Sequence, residues 1–258
     1  MFMKKYAIIA KRDEKSEKLK TKLKDALDRT LEYDEEEPDI VISVGGDGTM
    51  LYSVHRYIDK LESVSFVGIH TGTLGFYTDY LSDEWQQLVL DIQMKDPEIV
   101  ERDLLEVHYH EDVFYALNEM RIENNRRSQV IDVYISDEYL ETFRGNGLLV
   151  CTSSGSTAYN KSIYGALLSP HMRAMELSEI AGINHNAYRC LGSSLILDET
   201  KYVLLNTLNY RNSVLCVDLD SIELTDNELV EVYLSDRTVR FLDYREVSFI
   251  ERLKRAFL

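Results

Sequence analysis

The sequence of 258 residues predicts two domains of different class, an α/β domain followed by a mainly β domain. Short apolar runs alternate with helical segments as far as Pro97, and strand-like runs with short connections dominate the rest. A last stretch, Ser248–Phe257, regains helical spacing, and we expect it to pack back on the first domain. We therefore place the domains at residues 1–97, joined by 240–258, and at residues 98–239.

The first domain is predicted to alternate strand, helix, strand and helix. Charged residues and regularly spaced leucines predict an amphipathic helix over Lys15–Leu31. The β-branched run Asp39–Val44 is typical of a strand buried on both faces. The same reasoning gives strands at Lys5–Ala10 and Val64–Ile69, and helices over Leu51–Leu61 and Trp85–Ile92. This alternation predicts βαβ units in a mostly parallel, Rossmann-like sheet.

The second domain is predicted to be an antiparallel, β-sandwich-like structure. Two segments within it, Thr157–Leu168 and Met172–Ile180, have helical spacing and are predicted as helices. The predicted strands are Leu104–His110, Val113–Ile122, Val130–Ile135, Leu148–Thr152, Tyr202–Leu208, Val214–Val217 and Leu229–Leu234.

Composition excludes several classes of partner. With 45 acidic and 29 basic residues the net charge is −16, so we expect neither a nucleic-acid nor an anionic-membrane partner. No apolar stretch approaches the roughly 20 residues of a membrane-spanning helix. Three widely spaced cysteines without a CxxC pair predict reduced thiols and a cytoplasmic protein. The six histidines show no HxxxH or HExxH spacing, so no metal-ligand cluster is predicted.

The strongest chemical signal is Val44-Gly45-Gly46-Asp47-Gly48-Thr49, at the end of a buried strand and the start of a helix. Ligands bind at this edge of open α/β sheets, and glycines let the backbone approach them closely. An aspartate repels phosphates, so Asp47 is better explained by a magnesium ion or by a hydroxyl that must lose its proton. The plain alternative is a strand-to-helix turn with Asp47 as the helix N-cap.

The loop resembles the signature shared by NAD kinases, diacylglycerol kinases and 6-phosphofructokinases. Three further segments narrow the resemblance to the NAD kinase family, of the short bacterial type: Gly68–Phe76 with its Leu-Gly-Phe ending, Asn118-Glu119, and Gly155-Ser156-Thr157-Ala158-Tyr159. The four motifs occur in the family's order and spacing, and the resemblance covers essentially the whole chain.

The resemblance implies transfer of the γ-phosphoryl of ATP, or in some members of polyphosphate, to the 2′-hydroxyl of the adenosine ribose of NAD. Asp47 would be the general base, and Gly45, Gly46 and Gly48 would line the phosphate path. Any metal should arrive with the nucleotide, as Mg²⁺ bridging the donor phosphates.

The resemblance also implies the binding residues. Asn118 and Glu119 would contact the NAD adenosine, and Phe76 would be a pocket wall or, equally, a core residue. By the same resemblance, Arg144 would contact a phosphate or have a structural role. The adenine and ribose pocket would comprise Ser154, Thr157, Ala158 and Tyr159, followed by Asn160, Lys161 and Ser162. Taken alone, the Gly155–Thr157 stretch is also a loop that caps a helix.

Two segments resemble family regions that meet across a two-fold axis. Asn146 stands where the family commonly has Asp, and Ala181 and Ile183 resemble the segment that completes a neighbouring subunit's pocket. The resemblance therefore implies a homodimer or homotetramer with a shared NAD site.

Two other functions use the same features. A lipid or sugar kinase could carry the Gly-Gly-Asp-Gly-Thr loop, but the Asn-Glu and Gly-Ser-Thr-Ala-Tyr segments are typical of the NAD branch. A non-catalytic NAD-binding regulator would gain nothing from the Asp47 carboxylate near phosphates.

Overall fold

The computed structural model describes residues 4–72, 75–227 and 229–258 of the chain. It divides into two compact units, one formed by the residues up to Glu101 together with Val239–Leu258 and one formed by Arg102–Thr238. The helices are α1 (Glu14–Leu27), α2 (Asp47–Arg56), α3 (Trp85–Met94), α4 (Tyr159–Ser162) and α5 (Phe249–Phe257).

The first unit is built on a parallel sheet. Its strands are β1 (Lys5–Ala10), β2 (Glu32–Tyr33), β3 (Ile40–Gly45), β4 (Ser65–His70) and β5 (Tyr80–Leu81). Strand β3 lies between β1 and β4 and pairs with both in parallel, β2 pairs with β1, and β5 pairs with the end of β4. The carboxyl ends of β1, β3 and β4 therefore meet at one edge, where the loop before α2 begins.

Helices α1 and α3 cover one face of this sheet. Leu19, Leu23 and Leu27 of α1 lie on one stripe and are buried against Ile8 and Ile42 of the sheet. Leu88, Val89 and Ile92 of α3 join the same core. Helix α1 begins at Asp13, whose carboxylate accepts a hydrogen bond from the backbone N–H of Ser16 at 2.8 Å. This N-cap satisfies one of the donors that a helix start leaves unpaired.

The second unit is antiparallel. Its strands are β6 (Glu98–Tyr109, entering from the first unit), β7 (Asp112–Ala116), β8 (Glu119–Glu123), β9 (Gln129–Ile135), β10 (Glu138–Gly145), β11 (Gly147–Thr152), β12 (Ala174–Ile180), β13 (Leu195–Asp198), β14 (Tyr202–Thr207), β15 (Val214–Val217), β16 (Asp220–Glu223) and β17 (Leu229–Asp243). One sheet has the order β13, β12, β11, β8, β15, β16, and another set of strands pairs in the order β10, β9, β14, β17. The last residues of β17 return to the first unit, where Arg240 and Phe241 pair with β4.

A single core joins the two sets of strands in the second unit. Met120 and Ile122 of β8 and Leu148 and Val150 of β11 pack with Val133 of β9 and with residues of β14 and β17. The alternate residues of β8 and β11 face away from this core, as the period of two in a strand requires. That opposite face carries Glu119, Arg121 and Cys151 and supports the segment around Tyr159.

The predicted fold class, α/β plus a β-sandwich-like domain with a returning C-terminal helix, is confirmed by this architecture. The strands at Lys5–Ala10 and Val214–Val217 have the predicted bounds. The predicted strand Val113–Ile122 is interrupted at Leu117 and forms β7 and β8.

Two predicted helices are wrong. Met172–Ile180 contains strand β12, which pairs with β11 on one side and β13 on the other. Ala174–Ser178 are all buried, so the strand shows no polar alternation and its apolar spacing imitates a helix. Thr157–Leu168 contains only the single turn α4, because Tyr164 takes a left-handed φ of 65° and ends it.

No helix in the part of the chain that the structure describes is long and apolar enough to span a membrane.

Candidate active site

The Gly-Gly-Asp-Gly-Thr loop connects β3 to α2 at the carboxyl edge of the first unit's sheet. Gly45 is the last residue of β3, Gly46 is the N-cap of α2, and Asp47 is the first residue of the helix. The alternative that Asp47 is the N-cap is therefore wrong, and no side chain caps this helix. Gly45 packs against Thr49 so closely that a Cβ at position 45 would overlap the threonine side chain.

The Asp47 carboxylate is held by backbone donors from a loop about thirty residues further along the chain. One oxygen accepts from the N–H of Phe76 at 2.9 Å and the other from the N–H of Tyr77 at 3.1 Å. Gly75 lies directly against this carboxylate, and a Cβ at position 75 would overlap it. Each oxygen keeps a second lone pair, so the group can still accept a proton or ligate a cation.

A side chain of the C-terminal helix fixes that loop. Arg252 of α5 donates to the carbonyl of Phe76 at 3.1 Å and forms an ion pair with Asp79 at 2.5 Å. Burial raises the pKa of the Asp79 carboxyl, although the arginine opposes this. The Phe76 ring packs on Phe257 of the same helix, with ring centroids 5.4 Å apart. Arg252 and Asp79 were not predicted as site residues, because neither belongs to a motif and they are far apart in the chain.

His70, at the end of β4, faces the loop. Its Nδ1 accepts from the backbone N–H of Gly72 at 2.7 Å, and its Nε2 lies beside Gly46. Burial lowers the pKa of His70, and the Asp47 carboxylate acts in the opposite direction. A neutral imidazole that accepts through Nδ1 must carry its proton on Nε2. His70 therefore presents an N–H donor next to Gly46.

A cleft of about 1220 Å³ opens at this edge of the first unit. Its walls are the end of β1 and the start of α1 on one side and the Asp47 loop on the other. The lining includes Lys11, Arg12 and Lys15 from the first wall, Gly46, Gly48 and Thr49 from the second, and His70–Gly72 between them.

In the second unit, Asn118-Glu119 opens strand β8 and is held by a carboxylate. Asp218 accepts from the backbone N–H groups of Leu117, Asn118 and Glu119, at 2.6, 2.9 and 3.1 Å. Asp218 adopts a left-handed φ of 47°. Asp218 was not predicted as a site residue, because it lies a hundred residues from the motif.

The structure brings the Asn118-Glu119 and Gly155–Tyr159 motifs together. Gly155 lies so close to the Asn118 backbone that a Cβ at position 155 would overlap it. The hydroxyl of Thr152 links the two segments, since it donates to the carbonyl of Leu117 at 2.6 Å and accepts from the N–H of Gly155 at 2.9 Å. The Arg121 guanidinium lies over the Tyr159 ring at 4.8 Å.

Glu119 is an acidic residue of this pocket whose pKa is shifted. The residue is 7% exposed, and burial, reinforced by the Asp218 carboxylate, raises its pKa to about 7. Arg121 opposes this shift from 3.5 Å. Among the residues that the structure describes, the Oε2 atom of Glu119 has no hydrogen-bond partner. A buried acceptor without a partner is costly and suits a ligand that donates to it.

Asn160 is fixed by a buried carboxylate. Its side-chain amide donates to Glu176 at 3.0 Å, and its amide oxygen accepts from the Ser178 hydroxyl at 2.8 Å. Glu176 also accepts from the N–H of Ala166 at 2.7 Å. Asn160 therefore has a structural role here. Of the other predicted residues, Ser154 and Thr157 are buried, Ala158 and Lys161 are half-buried, and Ser162 is exposed.

Arg144, Asn146, Ala181 and Ile183 form a separate group in the second unit. The N–H of Asn146 donates to Ile180 at 2.9 Å, and the N–H of Ile183 donates to the carbonyl of Arg144 at 2.7 Å. The Arg144 guanidinium stacks on Tyr188 at 4.2 Å. This group lies at the Gly147 end of β11, whereas Asn118-Glu119 and Gly155 lie at the Thr152 end.

Glu141, Glu179 and Cys190 place ligand atoms within 4.8 Å of one another, a grouping that the sequence did not predict. Both carboxylates already accept backbone hydrogen bonds, from Leu191 and from Gly192. These bonds explain the cluster as part of the loop's own structure.

Comparison with solved structures identifies the class of fold. Yeast NADH kinase complexed with NADH superposes with a TM-score of 0.85 at 18% identity, covering 98% of this chain and 87% of that one. An NAD kinase from Archaeoglobus fulgidus in complex with ATP gives 0.77 at 20% identity, covering 98% and 97%. The fold is that of the NAD(H) kinases of known structure.

Sequence comparison identifies the family. Residues 3–96 match the ATP-NAD kinase N-terminal domain and residues 117–244 match the C-terminal domain. The chain is 41% identical to NAD kinase 1 of Bacillus subtilis over 98% of both chains. It is 40% identical to an NAD kinase of Geobacillus stearothermophilus, over 98% of this chain and 96% of that one. The chain therefore belongs to the NAD kinase family of enzymes, and the predicted family is confirmed.

Proposed function

We propose that this enzyme transfers the γ-phosphoryl of ATP, or a terminal phosphoryl of polyphosphate, to the 2′-hydroxyl of the adenosine ribose of NAD, giving NADP. The observation that carries the proposal is the Asp47 carboxylate, fixed by the N–H groups of Phe76 and Tyr77 at 2.9 and 3.1 Å next to the cleft of the first unit. The names of the relatives, and the ATP and NADH in the titles of the solved neighbours, support the two substrates.

In this proposal Asp47 orients the 2′-hydroxyl and accepts its proton as the oxygen attacks the γ-phosphorus, while the bond from the γ-phosphorus to the β-phosphate oxygen breaks and ADP leaves. Phosphoryl transfer depends mostly on positioning and charge stabilisation, so the fixed carboxylate serves chiefly as an aligned acceptor. Gly45, Gly46 and Gly48 leave the phosphate path free of side chains.

The second unit supplies the NAD contacts. Asn118 and Glu119 bind the adenosine, and the unpartnered Oε2 of Glu119 offers an acceptor to a hydroxyl or amine of NAD. Ser154, Thr157, Ala158 and Tyr159 line the adenine and ribose pocket, with Asn160, Lys161 and Ser162 behind them. Phe76, next to Asp47 in the first unit, is the candidate wall of the substrate site there.

The residues fit a magnesium ion that enters with the nucleotide. Mg²⁺ usually binds through one or two carboxylates and substrate phosphates, and Asp47 retains lone pairs beside the cleft. When bound, this ion would neutralise charge on the donor phosphates.

We also propose a cytoplasmic homodimer or homotetramer in which NAD is shared between subunits. The group of Arg144, Asn146, Ala181 and Ile183 is five residues along β11 from the Asn118 end, roughly 16 Å at ~3.3 Å per residue. The resemblance of these segments to family regions that meet across a two-fold axis supports the shared site.

A coupled assay with ATP, Mg²⁺ and NAD tests the function. We expect NADP formation, and we expect Asp47→Asn to retain NAD binding while turnover falls about 100-fold or more. Asp59→Asn, the same change at an exposed site of the first unit, is the control and should leave turnover unchanged. Full activity in Asp47→Asn would remove the residue from this role.

Ligand-dependent melting separates the competing functions. NAD should raise the melting temperature, and sugar phosphates or diacylglycerol should not, because a ligand stabilises only the state that binds it. A shift with fructose 6-phosphate and none with NAD would favour a sugar kinase. NAD binding without NADP formation would indicate a regulator.

A further inference from the structure

Tyr159 belongs to a segment that is too short to fix its own conformation. Helix α4 is a single turn, Tyr159–Ser162. A helix of this length is not stable by itself in water, so contacts with other elements must set the direction of the Tyr159 ring. One contact is apolar, because the ring packs against the cluster of Leu149, Cys151 and Ile180.

The other contacts come from one face of strand β8. Glu119, Arg121 and Glu123 are alternate residues of this strand and therefore share the face that lies opposite the core. The Arg121 guanidinium lies 4.8 Å from the centroid of the Tyr159 ring. The Tyr159 hydroxyl faces the Glu123 carboxylate, and the Tyr159 backbone N–H faces the Glu119 carboxylate. Three successive positions on this face of β8 thus hold one tyrosine, with Arg121 at the centre.

The Arg121 guanidinium is flanked by two carboxylates. Its Nε lies 3.0 Å from a Glu123 oxygen, and its Nη1 lies 3.5 Å from a Glu119 oxygen. A phosphate that approached the guanidinium would meet the negative charge of these neighbours, which disfavours Arg121 as an anion site. A planar guanidinium can, however, pair at its edge and stack by its face at the same time. The contacts therefore suit a support for the ring.

We propose that Arg121 is a positioning residue of the NAD pocket, which holds the Tyr159 ring in place for the adenine of NAD and makes no contact with the phosphates of NAD. The tyrosine is half-buried, so it keeps accessible surface for a base. A ring that is fixed in advance loses less freedom when a base stacks on it. This inference rests on the proposed function and adds to its NAD pocket a residue that the motifs do not include.

Calorimetric titration of NAD into the full chain, without ATP, tests this role. Arg121→Ala should raise the Kd for NAD about tenfold, the effect expected for loss of a partly desolvated cation over an aromatic ring. In steady-state kinetics the KM for NAD should rise while kcat changes little, because Asp47 lies in the other unit. Arg237→Ala is the matched control, since it removes a guanidinium that lies 4.7 Å from the Tyr115 ring in the same unit, and it should leave the Kd unchanged.

A double-mutant cycle distinguishes support of the ring from direct contact with NAD. In a Tyr159→Leu background, Arg121→Ala should change the Kd less than about twofold, because the ring through which it acts is absent. A tenfold effect in both backgrounds would mean that Arg121 contacts NAD itself and would overturn the proposal. Equal Kd values for Arg121→Ala and the native protein would overturn it as well.

Arg121→Lys gives the same test if Arg121→Ala does not fold. Lysine keeps a positive charge between the two carboxylates but lacks the planar group, so the Kd should rise about threefold, and Tyr159→Leu should abolish this rise. A threefold rise that persisted with Tyr159→Leu would count against the role. If the chain bound NAD but formed no NADP from it with ATP, the proposed reaction would be wrong, and the binding measurements would still decide the role of Arg121.

Discussion

Both units hold a site segment by hydrogen bonds from backbone N–H groups to a carboxylate, but the functional group is the acceptor in one unit and the donor in the other. In the first unit the functional group, Asp47, is the carboxylate, and it accepts from the backbone of the Phe76–Tyr77 segment. In the second unit the functional segment, Asn118-Glu119, supplies the N–H groups, and a supporting carboxylate, Asp218, accepts them. Perturbing the first arrangement should move a reacting group, whereas perturbing the second should weaken a binding segment and the local fold.

The largest expected effect is on stability, from Asp218→Ala. The change leaves three backbone N–H groups of a largely buried segment without their acceptor, which should cost about 2–4 kcal/mol. Denaturant unfolding measures the loss, and NAD affinity should fall with it. Asp218→Asn keeps one acceptor oxygen and should lose less.

The matched control is Asp220→Ala, two residues away and exposed. Equal stability of Asp218→Ala and Asp220→Ala would mean that water or a backbone shift satisfies the three donors, and the contrast between the units would fail.

The second prediction concerns catalysis in the first unit. Arg252→Met removes the donor to the Phe76 carbonyl, so the loop that fixes Asp47 should loosen. We expect kcat to fall about 10-fold, with the KM for NAD little changed, since small misplacements of a reacting group cost rate more than binding. Arg255→Met, on the same helix and paired with Glu251 of that helix, is the control.

A double variant separates positioning from buried charge. Arg252→Met leaves the Asp79 carboxylate, raised in pKa by burial, without its cation. Arg252→Met with Asp79→Asn should regain stability, because no unpaired buried charge remains, but should not regain kcat. Recovery of both would show that Arg252 acts only through stability.

The third prediction uses the pH dependence of the second unit. Glu119 has its pKa raised to about 7 by burial and by Asp218, with Arg121 opposing and Glu123 reinforcing. A raised carboxyl pKa gives stability at low pH that is lost as the pH rises through 7. This contribution is complete only below the ordinary carboxyl pKa of 4.5. Glu119→Gln should therefore melt like the native protein at about pH 4 and several degrees higher at about pH 8.5, a difference on the order of 3 kcal/mol.

Scanning calorimetry across that range, without NAD, provides the measurement. Glu138→Gln, the same change at an exposed site on β10, is the control. A difference between Glu119→Gln and the native protein that does not vary with pH would place the Glu119 pKa outside the range.

The sequence predicted the motifs and the strand–helix alternation because these are local patterns. Buried runs such as Ile40–Gly45 and the glycines after them can be recognised without knowing their partners. The supporting residues could not be recognised, because Asp218, Arg252 and Glu176 act on segments that are distant in the chain or are ordinary in composition. The strand Ala174–Ile180 was mistaken for a helix for the same reason, since the two neighbouring strands that decide its conformation are not visible in its own pattern.

The smallest expected effect is at Asn146, in the group at the Gly147 end of β11. Its backbone is fixed by bonds to Ile180 and Asn124, so a change of side chain should leave the turn intact. A neutral Asn both donates and accepts, whereas the Asp common in the family only accepts. Asn146→Asp should therefore change the free energy of NAD binding by about one hydrogen bond, 0.5–1.5 kcal/mol, without changing the melting temperature of the free enzyme.

If the group serves a neighbour's NAD, this effect should vanish when the enzyme is diluted to monomers, which light scattering monitors. A fully active monomer with the same NAD affinity would refute the shared site and leave the kinase reaction untouched, because neither Asp47 nor the Asn118-Glu119 segment belongs to the Asn146 group.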